Sequence, residues 1–167
     1  MPRQEVIRKA KRDKRAGKSA STQAGEFVKD EIDKIRKGKH GARSARQAIA
    51  IGLSEARRAG VDLPPPRKGR VKKATRRSAK YAYEAGQGKR TPKRRPRVSR
   101  AVEGVLKKEP RSTASRSALS KQGKRAASRR TAASRSAAAR KASHTKGAKV
   151  RSTAAKKAAR TRAHRRS

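Results

Sequence analysis

The chain has 167 residues, with 53 Lys+Arg against 11 Asp+Glu for a formal net charge of +42, and it contains one Phe, two Tyr, no Trp and no Cys. That composition excludes a large aromatic core, disulfide frameworks, Cys-based zinc sites and thiol catalysis. It calls for a polyanionic partner: at one negative charge per ~1.7 Å of axis, this charge would neutralise roughly 70 Å of duplex, about 20 base pairs.

Low hydropathy with high net charge predicts a chain that is mostly disordered when free, with a small all-α element. The expected parts are a helical hairpin, one or two short amphipathic helices and a basic low-complexity tail. Residues 1–21 read as a basic N-terminal arm in which Glu5 and Asp13 are the only acids. No apolar stretch follows the arm, so no secretory signal is expected. The longest apolar run, "AIAIGL", is far too short to span a membrane. A cytoplasmic, nucleoid-associated protein is the expectation.

Residues 22–66 are predicted to form the hairpin. From Ala24 to Lys37, the residues Ala24, Phe27, Val28, Ile32 and Ile35 recur at helical spacing. Acids gather in the early turns and bases in the last, and Gly38 supplies a stop. The second helix is the best-marked element. Ser44 and Gln47 form a capping box, and Ala45, Ala48, Ile49, Gly52, Leu53 and Ala56 share a face. Gly60 suits the left-handed position after the helix, and Pro64 to Pro66 forbid continuation. The shared core is expected from Phe27, Val28, Ile32, Ile35, Ile49, Leu53 and Leu63. Between Ala24 and Leu63 stand nine bases and six acids, a net +3, so the segment predicted to fold is near charge balance. Forty residues without disulfide or metal are marginal alone, which calls for homodimerisation through the hairpin or for a ligand.

Residues 67–110 read as a basic linker with a weak helix from Val71 to Ala85 and a clearer amphipathic one from Ser99 to Lys108. The latter places Ala101, Val102, Val105 and Leu106 together, where they could dock on the hairpin. Residues 111–167 form a tail in which Arg-Ser followed by small residues recurs ("RSTAS", "RSALS", "RSAAA", "RSTAA"). The tail carries 19 Lys+Arg and no acid, aromatic or Pro. It is expected to be disordered when free and partly helical on DNA, because Ala, Arg and Lys favour helix once phosphates relieve the repulsion.

The loop "KGKHGARS" is the sharpest local candidate. Gly38 and Gly41 would let the backbone approach a phosphate at a helix start, with Lys37, Lys39, His40, Arg43 and Ser44 around it. On the outer face of the second helix, Arg46, Gln47, Ser54, Arg57 and Arg58 make a polar stripe, either against a duplex backbone or plainly solvated. In the tail, Arg116, Arg129, Arg130, Arg135, Arg140, Lys141, Arg151, Lys156 and Lys157 are the expected phosphate contacts.

No catalytic residue, cofactor or metal is expected. "AGKS" at 16–19 lacks the upstream glycine of a P-loop, with Arg12 in its place. His40, His144 and His164 are too scattered for a metal site, and no pocket-forming domain is expected to house an enzyme. Tyr81 and Tyr83 could stack on bases, pack or stay exposed. The scarcity of aromatic platforms favours duplex DNA over single strands, with RNA or ribosome association as the alternative. A membrane-surface role is disfavoured by the lack of apolar bulk.

The words "RSARQAIAIGLSEARRAG" resemble a helix of small, basic, uncharacterised bacterial proteins, which carry a similar "KQAIAIALSEARRAG" after a Gly/Lys/His loop. The likeness runs over roughly residues 25–64 and implies a bacterial source. The Ala/Lys/Arg repeats of the tail resemble bacterial histone H1-like proteins, from which this tail departs in being rich in Arg and Ser and free of Pro.

Overall fold

Ser44 accepts the Gln47 N–H on its hydroxyl at 3.2 Å, and the Gln47 side chain accepts the Arg43 N–H at 2.8 Å, so the chain is turned into a helix where the capping pattern places it. In the computed structural model, which describes residues 3–93 and 95–164 apart from the side chains of residues 145 and 146, this helix is the third of seven among the described residues. They are α1 (Gln4–Arg15), α2 (Ala20–Arg36), α3 (Ala45–Arg58), α4 (Lys73–Gly86), α5 (Pro96–Lys108), α6 (Arg116–Ser128) and α7 (Ala132–His164), with a 3-10 turn at Ser112–Ala114. No strand occurs among the described residues. The chain divides into two units, 1–122 and 123–167.

The centre of the first unit is the antiparallel pair α2–α3. Its buried seam on α3 is made of small residues, Ala45, Ala48, Gly52 and Ala56, while Ile49 and Leu53 flank it half-buried. Small residues bring the two backbones close. A Cβ on Gly52 would stand 2.6 Å from the Val28 Cα and 2.9 Å from the Val28 N. Both ends close as the sequence indicates. Gly38 and Gly60 have φ of 73° and 85°, and the Val61 N–H returns to the Ala56 carbonyl at 3.1 Å while its side chain is buried.

Two apolar clusters lie along this pair. One joins Phe27, Ala24 and Ala56 with Val61 and with Val6 and Ala10 of α1. The other joins Ile35, Ala42 and Ala48 with Ala114. Of the predicted core, Phe27 and Ile35 are fully buried, whereas Val28, Ile32, Ile49, Leu53 and Leu63 are half-buried.

The expectation of a mostly disordered chain is overturned: 74 % of it is helical. The N-terminal arm is α1, which packs on α2 through Val6 and Ala10 and is fastened by ion pairs Arg3–Asp30 and, at 2.6 Å, Lys18–Asp13. On the other side α4 packs on α3. Gly86 permits this, since a Cβ there would collide with the Arg57 carbonyl. Tyr83 donates its hydroxyl to Asp62 at 2.7 Å. The marginal hairpin is therefore extended by its own chain. On α5, Leu106 is half-buried, but Val98, Val102 and Val105 are exposed, so its apolar face does not dock as expected.

The tail is helical from Arg116 to Ser128 and again from Ala132 to His164, broken at Gly147; its last three residues lie outside the described ones. Ala, Arg and Lys are strong helix formers, and their propensity prevails here over the repulsion. Within α7, Arg135 and Arg140, and Arg151 and Lys156, stand five apart and so off the destabilising i,i+3 and i,i+4 positions, although Lys156 and Lys157 both stand at such positions from Arg160. The hydroxyls of Ser143, Thr153 and Thr161 donate to carbonyls three or four residues back instead of competing with the helix. Thr131 and Ser115 cap the two helices by accepting the Ser134 and Ala118 N–H groups.

Candidate nucleic-acid interface

The Gly-bearing loop between α2 and α3 is already occupied by protein. The Gly41 N–H donates to the Leu106 carbonyl at 2.8 Å, and the Ala42 N–H to the Pro110 carbonyl at 3.3 Å. Thr113 donates to the Ala42 carbonyl at 2.9 Å, and Arg36 to the Ala114 carbonyl at 2.9 Å. Residues 106–114 thus strap the loop, and Gly41 exists for their sake: a Cβ there would overlap the Glu109 carbonyl. The expected phosphate cradle is corrected accordingly, because its glycine admits this chain's own backbone. Gly41→Ala is expected to displace the strap and expose Ala114, lowering stability by about 2 kcal/mol. Protease cleavage near Lys107, Lys108 and Arg111 should rise in proportion. A variant with wild-type cleavage and stability would contradict the strap.

The side chains around the loop divide. Lys37, Lys39 and Arg43 remain exposed, and Ser44 serves as the helix cap. His40 turns inward. Its Nδ1–H donates to the Gly41 carbonyl at 2.9 Å, which leaves Nε2 facing the buried Glu31 Oε1 at 3.5 Å. That contact is attractive only when a proton sits on one of the two groups. Glu31 is 1 % exposed and belongs to a buried ionic cluster, in which Lys34 Nζ lies 3.1 Å from Asp30, 3.2 Å from Glu55 and 3.6 Å from Glu31.

Burial pushes the Glu31 carboxyl up, and nearby His40 and Lys34 offset this only in part. Burial also pushes Asp30 up, but hydrogen bonds from Arg3 and Lys34 prevail and hold it below the usual range. The two groups act oppositely on stability. Asp30 contributes stability above its unfolded value near 3.8, lost as pH falls through its lower folded value. Because burial raises Glu31, stability declines as pH rises from near 4.5 through its raised folded value. Glu31→Gln should therefore raise stability at neutral pH and flatten that decline. Urea midpoints measured across pH test this, and a variant less stable at neutral pH would contradict it.

On α3, Arg46 and Arg58 are exposed, but Arg57 is not available to a ligand: it is 7 % exposed and donates to the Leu63, Leu53 and Pro64 carbonyls at 3.0, 3.5 and 3.4 Å. Its burial lowers its pKa. The apolar pattern of α3 predicts one packing partner, and α4 covers the side on which Arg57 lies. In the tail, Arg116, Arg129, Arg130, Arg135, Arg140, Lys141, Arg151, Lys156 and Lys157 are all exposed. Arg130 also bonds Ser134, and Arg151 bonds the Gly147 carbonyl.

The acids are distributed very differently. All 11 lie at or before Glu109, and most face inward or to bases of the same unit. Besides the buried cluster, Glu5 pairs with Lys9, Glu84 with Lys80 and Arg90, and Glu103 with Lys107. The second unit has 16 Lys+Arg and no acid. The residues missed from the sequence are Arg36 and Arg111, whose guanidinium packs against Gly38, and the basic surroundings of Tyr81.

No helix among the described residues is long and apolar enough to cross a membrane. No curated protein and no solved structure matches the chain. Residues 11–68, from within α1 to just beyond the proline run, match an uncharacterised family described as a family of unknown function (DUF6496).

Proposed function

We propose that the protein binds nucleic acid, duplex DNA in preference to RNA, without reading its sequence, and compacts or bridges it as a nucleoid-associated, histone H1-like protein. The observation that carries this reading is the partition of charge. The first unit pairs most of its acids with its own bases, while the second is an exposed helical polycation with no acid of its own. Around α7 the steps from Arg135 to Arg140 and on to Lys141 are about 140° and 100°, so cations point to every side. A helix charged all round suits contact with more than one duplex, and its affinity comes from release of counterions. The first unit offers Lys37, Lys39, Arg43, Arg46 and Arg58 as further phosphate contacts. Sedimentation of lysates split between two nucleases tests the reading. Recovery with the nucleoid that DNase abolishes is expected; recovery with ribosomes that only RNase abolishes would overturn the preference for DNA.

A further inference from the structure

Among the three aromatic side chains, Phe27 is fully buried and Tyr83 is engaged with Asp62. Tyr81, two residues from Tyr83 on α4 and so on a different side of the helix, is placed otherwise. Its half-buried ring stands where two clefts of about 620 and 860 Å³ meet, both also lined by Ser78 and Arg90. These sizes fall in the ~300–1,000 Å³ range of small-molecule sites. The Arg90 guanidinium lies 5.1 Å from the ring centroid, and the Tyr81 hydroxyl accepts the Lys93 N–H at 3.3 Å. Arg77, Lys80, Lys93 and Arg95 complete the cationic lining. Glu84 is the one carboxylate lining either cleft among the described residues, and Lys80 and Arg90 neutralise it at 3.5 and 3.3 Å. A stacked Arg90–Tyr81 pair would staple the loop after α4, but it leaves the convergence of Arg77, Lys93 and Arg95 unexplained.

A half-buried aromatic ring at the edge of two clefts with surplus cations suits a flat aromatic group that carries phosphate. We propose that Tyr81 is the stacking platform of a nucleotide site that accepts an unpaired base, with Arg90 bracing the ring and Arg77, Lys93 and Arg95 on the nucleotide's phosphates. The site rests on the nucleic-acid reading above and adds to it a preference for duplexes that contain an unpaired nucleotide. A free nucleotide presents the same chemistry.

The test uses the full chain with two duplexes of equal length, one fully paired and one bearing a single bulged 2-aminopurine, and with 2-aminopurine riboside triphosphate as the free probe. At salt high enough to weaken the polycation, the bulged duplex should bind about ten-fold tighter than the paired one, with the probe base quenched. Tyr81→Leu keeps apolar volume but removes the ring; it should abolish preference and quenching while leaving paired-duplex affinity and helicity unchanged. Arg77→Gln with Lys93→Gln, which leaves the ring in place, should weaken the bulge preference several-fold. Quenching of the free triphosphate, lost in Tyr81→Leu, would make the ligand a free nucleotide as well; quenching only within the duplex would restrict it to unpaired nucleotides in a strand. Equal affinity for both duplexes without quenching of either probe overturns the site, as does a preference that survives Tyr81→Leu. Paired-duplex affinity reports separately on the polycation, and the free probe reads the cleft even where duplex binding fails.

Discussion

Removal of residues 123–167 is expected to lower the affinity for a fully paired duplex by about a thousand-fold or more near 0.1 M salt. The deleted unit holds 16 of the 53 Lys+Arg and none of the 11 acids. Every phosphate that goes without its cation takes about 0.9 from the log–log dependence of affinity on salt, so losing even a handful flattens it visibly. The place of the cut matters. Truncation at residue 111, where the composition changes, would remove Thr113 and the fully buried Ala114 and unstrap the α2–α3 loop. Truncation after Gln122 spares them, and the remaining helices should keep their circular dichroism. A truncated chain that binds with undiminished affinity and slope would place the phosphate contacts on the first unit.

Gly52→Ala should force apart the helix pair at the centre of the fold. The added Cβ meets the Val28 Cα at 2.6 Å, the Val28 N at 2.9 Å and the Phe27 carbonyl at 3.1 Å. These are backbone atoms of a packed helix, so relief requires α2 and α3 to separate, at the cost of the Phe27 and Ile35 clusters between them. Overpacking of this kind costs about 1–3 kcal/mol, and the ~1 kcal/mol gain in helix propensity offsets only part of it. A net loss of about 1–2 kcal/mol, read from urea or thermal unfolding, is the expected result. Gly25→Ala is the matched control. Gly25 is helical, exposed and has nothing within 4 Å of its would-be Cβ, so there the propensity gain stands alone and stability should rise by about 0.5–1 kcal/mol. Equal behaviour of the two variants would contradict the close approach at Gly52.

What is legible in the sequence and what is not separates along the range of the interactions. The α3 helix is legible at both ends because its signals are local: Ser44 and Gln47 at the start, Gly60 and the proline run at the stop. Its partner α2 is legible through Phe27, Ile32 and Ile35, although its start lies four residues before the expected Ala24. The first helix is hidden because Val6 and Ala10 are sparse apolar residues among bases, and its fastening pair, Arg3 with Asp30, joins positions 27 apart. The strap is invisible for the same reason. Nothing local to Gly41 distinguishes a glycine that admits a phosphate from one that admits Glu109. Arg57 falls on the expected surface because the pattern of α3 counts apolar residues, whereas α4 meets it through Ala79, Ala82 and Gly86. In the tail, net charge argues for coil, and the helix propensity of its Ala, Arg and Lys residues prevails without phosphates.

The dependence of duplex affinity on salt, measured for the full chain on two duplexes of unrelated sequence, tests the central claim most directly. With about ten phosphates engaged, log affinity should fall against log salt with a slope of about −9 or steeper, and the two sequences should give the same line. A slope of only one or two contacts, or two lines well apart, would contradict binding by phosphate neutralisation without sequence preference.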